Sequence, residues 1–202
     1  AGLVKGASKG EGLGNKFLSH IREVDAIIHL VRCFESDKIT HVNSKIDPVE
    51  DLETIKTEII LSDIDVIQKK LDKGKKKLLS EKEVQILEEK LKQLNQGLEI
   101  SADNEVYNKF LSNLGLLSMK PKIIVCNVDE ESLTEGNAFT ESVKNKHSNE
   151  KVVTICADIE DQIMGLDNKE RETFMQDIGL NKTGLNQLIK EGYDLLNLDT
   201  FF

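Results

Sequence analysis

The chain has 202 residues, 39% of them hydrophobic and 31% charged, with a formal net charge of −9; this length suits one α/β core with a helical insertion, or two small domains. Aromatic residues make up 4% with no tryptophan; few platforms for base stacking and an acidic balance exclude a general nucleic-acid binder and DNA as a partner, because phosphate contacts run on lysine and arginine. Cys33, Cys126 and Cys156 lie in or at the ends of apolar runs, which excludes a disulfide framework and fits a reducing, cytoplasmic setting, and no run approaches the roughly 18 apolar residues of a membrane span.

The opening stretch, Ala1 to Asn15, holds five of the thirteen glycines and almost no apolar periodicity. Glycine persists where backbone must take positive φ or come close to a ligand, and a flexible linker has the same composition. The run leads straight into a helical segment, Asn15 to Val24, with Phe17, Leu18 and Ile21 on one side, and then into Asp25 to Cys33, a near-continuous apolar run of the kind found in strands covered on both faces. Pro121–Asn127 and Glu150–Cys156 repeat that pattern. Three such strands alternating with helices predict an α/β fold with a parallel sheet and helices on both faces.

Between the first two strands, from about Pro48 to Leu117, strand signals vanish. Leu52, Ile55, Ile59, Ile60, Ile64, Ile67 and Leu71 step by helical spacings, and Val84, Leu87, Leu91, Leu94 and Leu98 step by three and four as in a heptad seam. Two amphipathic helices broken near Lys73-Gly74 and Leu79-Ser80 predict an antiparallel hairpin. The predicted division is thus 1–47, 48–118 (the inserted hairpin) and 119–202. Lys69, Lys70, Lys73, Lys75, Lys76 and Lys77 crowd the tip, a local positive patch that fits either contact with RNA phosphates or an ordinary solvated helix end. The chain closes with a charged helix over Asn168 to Ile178, a turn at Gly179–Gly184 and a last helix from Leu185 to Leu196.

In open parallel sheets ligands bind beyond the carboxyl ends of the strands. The second strand ends in Asn127-Val-Asp-Glu130, where GTP-binding folds carry Asn-Lys-x-Asp. Asparagine is kept, Val128 replaces the lysine and Glu130 the aspartate, so the choice of base should change. The third strand runs into Cys156-Ala157, a small residue whose backbone can approach a base. A turn capped by Asp129 explains the first motif alone; glycine loop, Asn-x-x-Glu and Ala157, in this order with strands before the last two, point to a nucleotide pocket.

Ala1–Asn15, Val31-Arg-Cys-Phe34, Asn127-x-x-Glu130 and Gly192-Tyr-Asp-Leu-Leu-Asn-Leu198 resemble the YchF, or Obg-like ATPase, family of P-loop NTPases over the whole chain. The resemblance implies binding of ATP in preference to GTP, with Asn127, the Val128 backbone, Glu130 and Ala157 at the base, ATP hydrolysis, and association with the ribosome or ribosomal RNA. Ala1-Gly2 would close a switch II motif, with the Gly2 amide facing the γ-phosphate. Leu3 would stand where related GTPases hold glutamine, which transfers the task of orienting water to His41. Imidazole suits that task near neutral pH, although a loop histidine on the surface needs no such role. His29 reads as a core or sheet-face residue, His20 as a helix-face residue and His147 as solvated.

The family's Gly-x-x-x-x-Gly-Lys-Ser/Thr loop has no match here, so Mg2+ ligands are expected upstream, a small β-rich TGS domain downstream, and this span alone is expected to be inactive towards ATP and poorly soluble. A GTPase of the same fold and a non-catalytic partner-binding module built on the hairpin are the competing readings. Oxidation of Cys126 or Cys156, beside the base motif, is a further expectation to set against the usual inertness of buried thiols.

Overall fold

The computed structural model describes residues 13–36, 45–74, 79–100 and 105–201. Eleven elements follow in order: α1 (Leu13–Arg22), β1 (Ile27–Arg32), α2 (Pro48–Gly74), α3 (Glu81–Asn95), α4 (Glu105–Ser112), β2 (Lys122–Asn127), α5 (Ala138–Lys146), β3 (Lys151–Ile155), α6 (Ala157–Met164), α7 (Asn168–Asp177) and α8 (Gly184–Leu196). They sort into two compact units, one from Ala1–Asp25 and Glu53–Lys120, the other from Ala26–Leu52 and Pro121–Phe202. The division falls inside α2.

The first unit is helical. Its helix α2 begins in residues of the second unit: Pro48 opens it with its φ already fixed, and Asp47 Oδ1 accepts the Glu50 amide at 3.1 Å, so the helix starts where its sequence says it should. Ser80 and Glu83 form a reciprocal capping box that starts α3: Glu83 Oε2 accepts the Ser80 amide at 2.7 Å and Ser80 Oγ accepts the Glu83 amide at 3.3 Å. Ile60, Ile67 and Leu71 of α2 share one buried cluster with Ile86, Leu87 and Leu94 of α3 and Leu111 of α4. Helix α4 is an addition to the expected pair. Leu98, expected at the end of the leucine seam, lies past the end of α3 and is 53% exposed, because the helix stops at Asn95 and Gly97 turns the chain at φ +76°.

This unit also encloses a charge. Asp63 of α2 is completely buried. Its Oδ1 accepts the Leu117 amide at 2.9 Å, its Oδ2 accepts the Ser118 amide at 2.8 Å, and Arg22 Nη1 stands 3.3 Å from Oδ1. The Arg22 guanidinium also donates to the Gly115 carbonyl and, at 2.6 Å, to Ser62 Oγ. A buried carboxylate is tolerable only when both oxygens are occupied in this way.

The second unit is a three-stranded parallel sheet in the order β1-β2-β3, with Ile28 opposite Ile123, Val31 opposite Cys126, and Cys126 opposite Thr154. On one face Val31, Ile124 and Cys126 pack with Val143 of α5 and with Ile159 and Ile163 of α6. On the other, Ile123, Val125 and Val153 meet Leu188 and Leu195 of α8. β1 is covered less completely than its apolar run suggests: Ile28 and Leu30, in the α8-side face, are 55% and 61% exposed. Gly184 lets α8 start against the sheet, since a Cβ there would come within 2.6 Å of Ile155 Cγ2. Gly179 takes φ +71° just after α7, the stop its position predicts.

Candidate functional site

The chemistry collects where β2 and β3 end. Cys156 is the N-cap of α6 yet its side chain makes no capping hydrogen bond. The missing acceptor comes from the neighbouring strand: Asn127 Oδ1 accepts the Ala157 amide at 3.0 Å. An orphan amide at a helix start is thereby satisfied, and Asn127 is held with its Oδ1 engaged and its Nδ2 donor left over. Among the described residues that Nδ2 has none. The backbone beneath is equally fixed. Cys33 N donates to the Asn127 carbonyl at 2.7 Å and Val128 N to the Ile155 carbonyl at 2.8 Å, so the ladder continues past the last strand residues.

Val128, expected near the base in place of a lysine stem, has its side chain buried in the cluster under the sheet's ends and its amide already engaged. Asp129 Oδ1 accepts the Ser132 amide at 3.0 Å and forms a turn. Glu130 is exposed, and its Oε1 accepts a hydrogen bond from Gln162 Nε2 of α6 at 3.2 Å. Asn127, Glu130 and Ala157 are therefore gathered at one strand-end site. Gly2, Leu3, His41, Lys75, Lys76 and Lys77 lie outside the described residues. Lys70 and Lys73 belong to the last turns of α2; Lys69 reaches back 2.6 Å to Asp65 on the exposed face.

Two participants were not read from the sequence. Asn137 caps α5 through Oδ1, while its Nδ2 donates to the Cys33 carbonyl at 2.7 Å and to Ser132 Oγ at 3.2 Å, tying the end of β1 to the turn that carries Glu130. An asparagine ahead of Ala-Phe-Thr reads as a helix cap but gives no sign of its long-range partner. Gln162 is the other, discernible only as a polar position between the buried Ile159 and Ile163.

The titratable groups near the sheet are set by burial. His29 is pushed down to about 4 by burial, reinforced by Lys122. His147, expected to be solvated, is 11% exposed with Nδ1 3.1 Å from Glu150 Oε1, because it closes the C-terminus of α5 against the start of β3. Cys33, Cys126 and Cys156 are free and buried. The hydrogen bond with Cys126, with burial added, raises the Cys33 thiol, and burial raises Cys156, so these two are poor thiolates. The same Cys33–Cys126 hydrogen bond lowers the Cys126 thiol against the opposing effect of burial. No group of three or more His, Cys, Asp or Glu among the described residues is arranged to hold a metal ion, and no described helix is long and apolar enough to cross a membrane. A cavity of about 270 Å3 opens beside β3, lined by Thr134, Lys144, Thr154, Lys182 and Gln187, but by none of Asn127, Glu130 or Ala157. The strand ends, with oriented polar groups still without partners, are the better candidate.

Comparison with known proteins adds the following. No protein-family model matches the sequence. The chain is 43% identical over 214 residues to the ribosome-binding ATPase YchF of Escherichia coli O157:H7, and 41% identical over 213 residues to the ribosome-binding ATPase YchF of Bacillus subtilis; all of this chain and 58% of each relative are covered. The chain thus spans less than two thirds of the length of these curated relatives. Among solved structures, the YchF GTPase of Schizosaccharomyces pombe superposes with a TM-score of 0.80 at 26% identity, covering 93% of this chain and 54% of that one.

Proposed function

The chain belongs to the YchF family, and from that premise we propose that the intact protein is an Obg-like P-loop NTPase that binds ATP in preference to GTP, hydrolyses it and acts in association with the ribosome. The observation that carries the base-site reading is the pairing of Asn127 Oδ1 with the Ala157 amide. It leaves the Asn127 amide donor beyond the strand ends, where a purine N7 is an acceptor. The Val128 amide is spent on Ile155, so the backbone group this residue offers a base is its carbonyl, an acceptor for the exocyclic amino group of adenine. Guanine presents an oxygen at that position and gains nothing from it. The names of the bacterial relatives support ATP; the fission-yeast protein, named a GTPase, supports the reading in which GTP is the substrate.

The phosphate end is assigned by resemblance. Gly2 supplies an amide to the γ-phosphate, Leu3 excludes a glutamine-type mechanism, and His41 orients or deprotonates the attacking water. Mg2+ neutralises phosphate charge when bound, held by residues other than those described. Ribosome contact through Lys69, Lys70, Lys73 and Lys75 to Lys77 rests on their charge alone.

Equilibrium binding of ATP and GTP to the intact protein tests the base assignment: ATP should bind more tightly, and tighter GTP binding would sink it. Replacing His41 with alanine should slow hydrolysis about 100-fold with little change in ATP affinity. An unchanged turnover would remove His41 from the mechanism.

A further inference from the structure

We propose that Gln162 is a specificity-determining residue of the base site: it takes one acceptor position of Glu130, holds the carboxylate out of a paired contact with the nucleotide and so disfavours guanine. The inference rests on the strand-end site being the base pocket. Its basis is the hydrogen bond from Gln162 Nε2 to Glu130 Oε1 at 3.2 Å, between α6 and the turn that follows β2.

The backbone from which Gln162 projects is well anchored. The helix is seated on the sheet by Ile159 and Ile163, 4% and 3% exposed, and its first amide is held by Asn127 Oδ1 at 3.0 Å. Glu160 Oε1 accepts the Gly184 amide at 2.6 Å, which ties the same helix to the start of α8. Gln162, one residue before Ile163, rises from a helix fixed at three points, while Glu130 sits on the turn closed by Asp129 and Ser132. A rigid element narrows where a side chain can present its donor, and the Glu130 contact itself completes the placement.

The chemistry then separates the purines. Guanine carries two adjacent donors, its ring N1–H and exocyclic amino group, and engages a carboxylate best through both oxygens at once. With one position of Oε1 taken by the Gln162 amide, the carboxylate is fixed in orientation, and Glu130 offers a ligand Oε2 rather than both oxygens edge-on. Adenine has an acceptor at ring N1 and asks for no paired carboxylate, so the same restraint costs it nothing. A site that leaves a ligand's buried donors short of acceptors rejects that ligand strongly. Asn-x-x-Glu alone does not achieve this, because a glutamate free to turn can still offer both oxygens to guanine. Gln162 is the group that stops it turning.

The test is equilibrium binding of ATP and GTP to the intact protein and to its Gln162→Ala, Gln162→Lys, Glu130→Ala and Asn127→Ala variants, with thermal unfolding as a check that each is folded. Gln162→Ala frees the carboxylate and should raise GTP affinity relative to ATP by about threefold to tenfold, the size of one exposed charge-assisted hydrogen bond. Gln162→Lys keeps a donor on Glu130 and should keep the wild-type preference, which a merely structural role for the residue does not predict. If Gln162→Ala leaves the ratio within twofold of wild type while Glu130→Ala alters it, the inference is overturned and the base-site reading stands. If Glu130→Ala and Asn127→Ala both leave ATP and GTP affinities unchanged, the base site itself is misplaced and the role of Gln162 falls with it.

Discussion

Asp63 in the helical unit and Glu130 in the sheet unit are both carboxylates at the meeting of chain segments, and they end in opposite conditions. Asp63 is fully enclosed, with two backbone amides on its oxygens and Arg22 alongside. Glu130 is exposed, held on one oxygen by Gln162 and without a partner on the other among the described residues. A carboxylate that is fully buried with both oxygens engaged by its own unit fastens structure and has nothing to offer a ligand. One left half-occupied at the carboxyl end of a parallel strand has that capacity.

The largest effect should come from opening the saturated centre. Arg22→Met leaves the Asp63 charge buried without its cation and should cost about 3–5 kcal/mol in urea unfolding; a loss below about 1 kcal/mol would erase the contrast between the two carboxylates. The sheet unit has its own loaded group in His29, whose neighbours include Lys122, Glu150 and His147. Its folded value of about 4 lies below the ordinary 6.5, so below pH 6.5 the unfolded chain takes up a proton that the folded chain refuses. Stability should therefore be unaffected above that pH, fall as the pH drops from 6.5 to 4, and be lower by about 3 kcal/mol at the bottom. His29→Gln should flatten that limb, and an unaltered acid profile would relocate the titration. A smaller effect belongs to the exposed capping box: Ser80→Ala should cost about 1 kcal/mol of stability and leave nucleotide affinity as it was. Weakened ATP binding in that variant would mean that the division of labour between the units is less sharp than their carboxylates suggest.

The sheet was legible because its strands are written as apolar runs. β1, β2 and β3 fall inside 25–33, 121–127 and 150–156, and the residues that follow them in sequence are the ones found at the site. Helices α2 and α3 were legible from their stripes. Helix α4 was not: eight residues hold too few turns for a period to show. The enclosure of Asp63 was also hidden, since an aspartate among Ile60, Ile64 and Ile67 reads as the polar face of an amphipathic helix until residues 54 and 55 positions away supply their amides. Gln162 was missed for the same reason. Its partner is 32 positions away, and nothing in a local pattern distinguishes a glutamine that clamps a carboxylate from one that faces water. Exposure of Ile28 and Leu30 depends on how far α8 extends over the sheet, which no strand's own sequence records.

The two ladder bonds that run past the strands, Cys33 N to the Asn127 carbonyl and Val128 N to the Ile155 carbonyl, have a consequence in time. Amides bonded within a parallel sheet exchange their hydrogens with solvent only when the sheet itself opens, so the floor of the site should exchange slowly before any ligand arrives. The proposed nucleotide has little to add there. Its arrival should register instead as slowed exchange in the turn from Asp129 to Ser132, which makes that turn the place to watch a binding event over seconds to minutes.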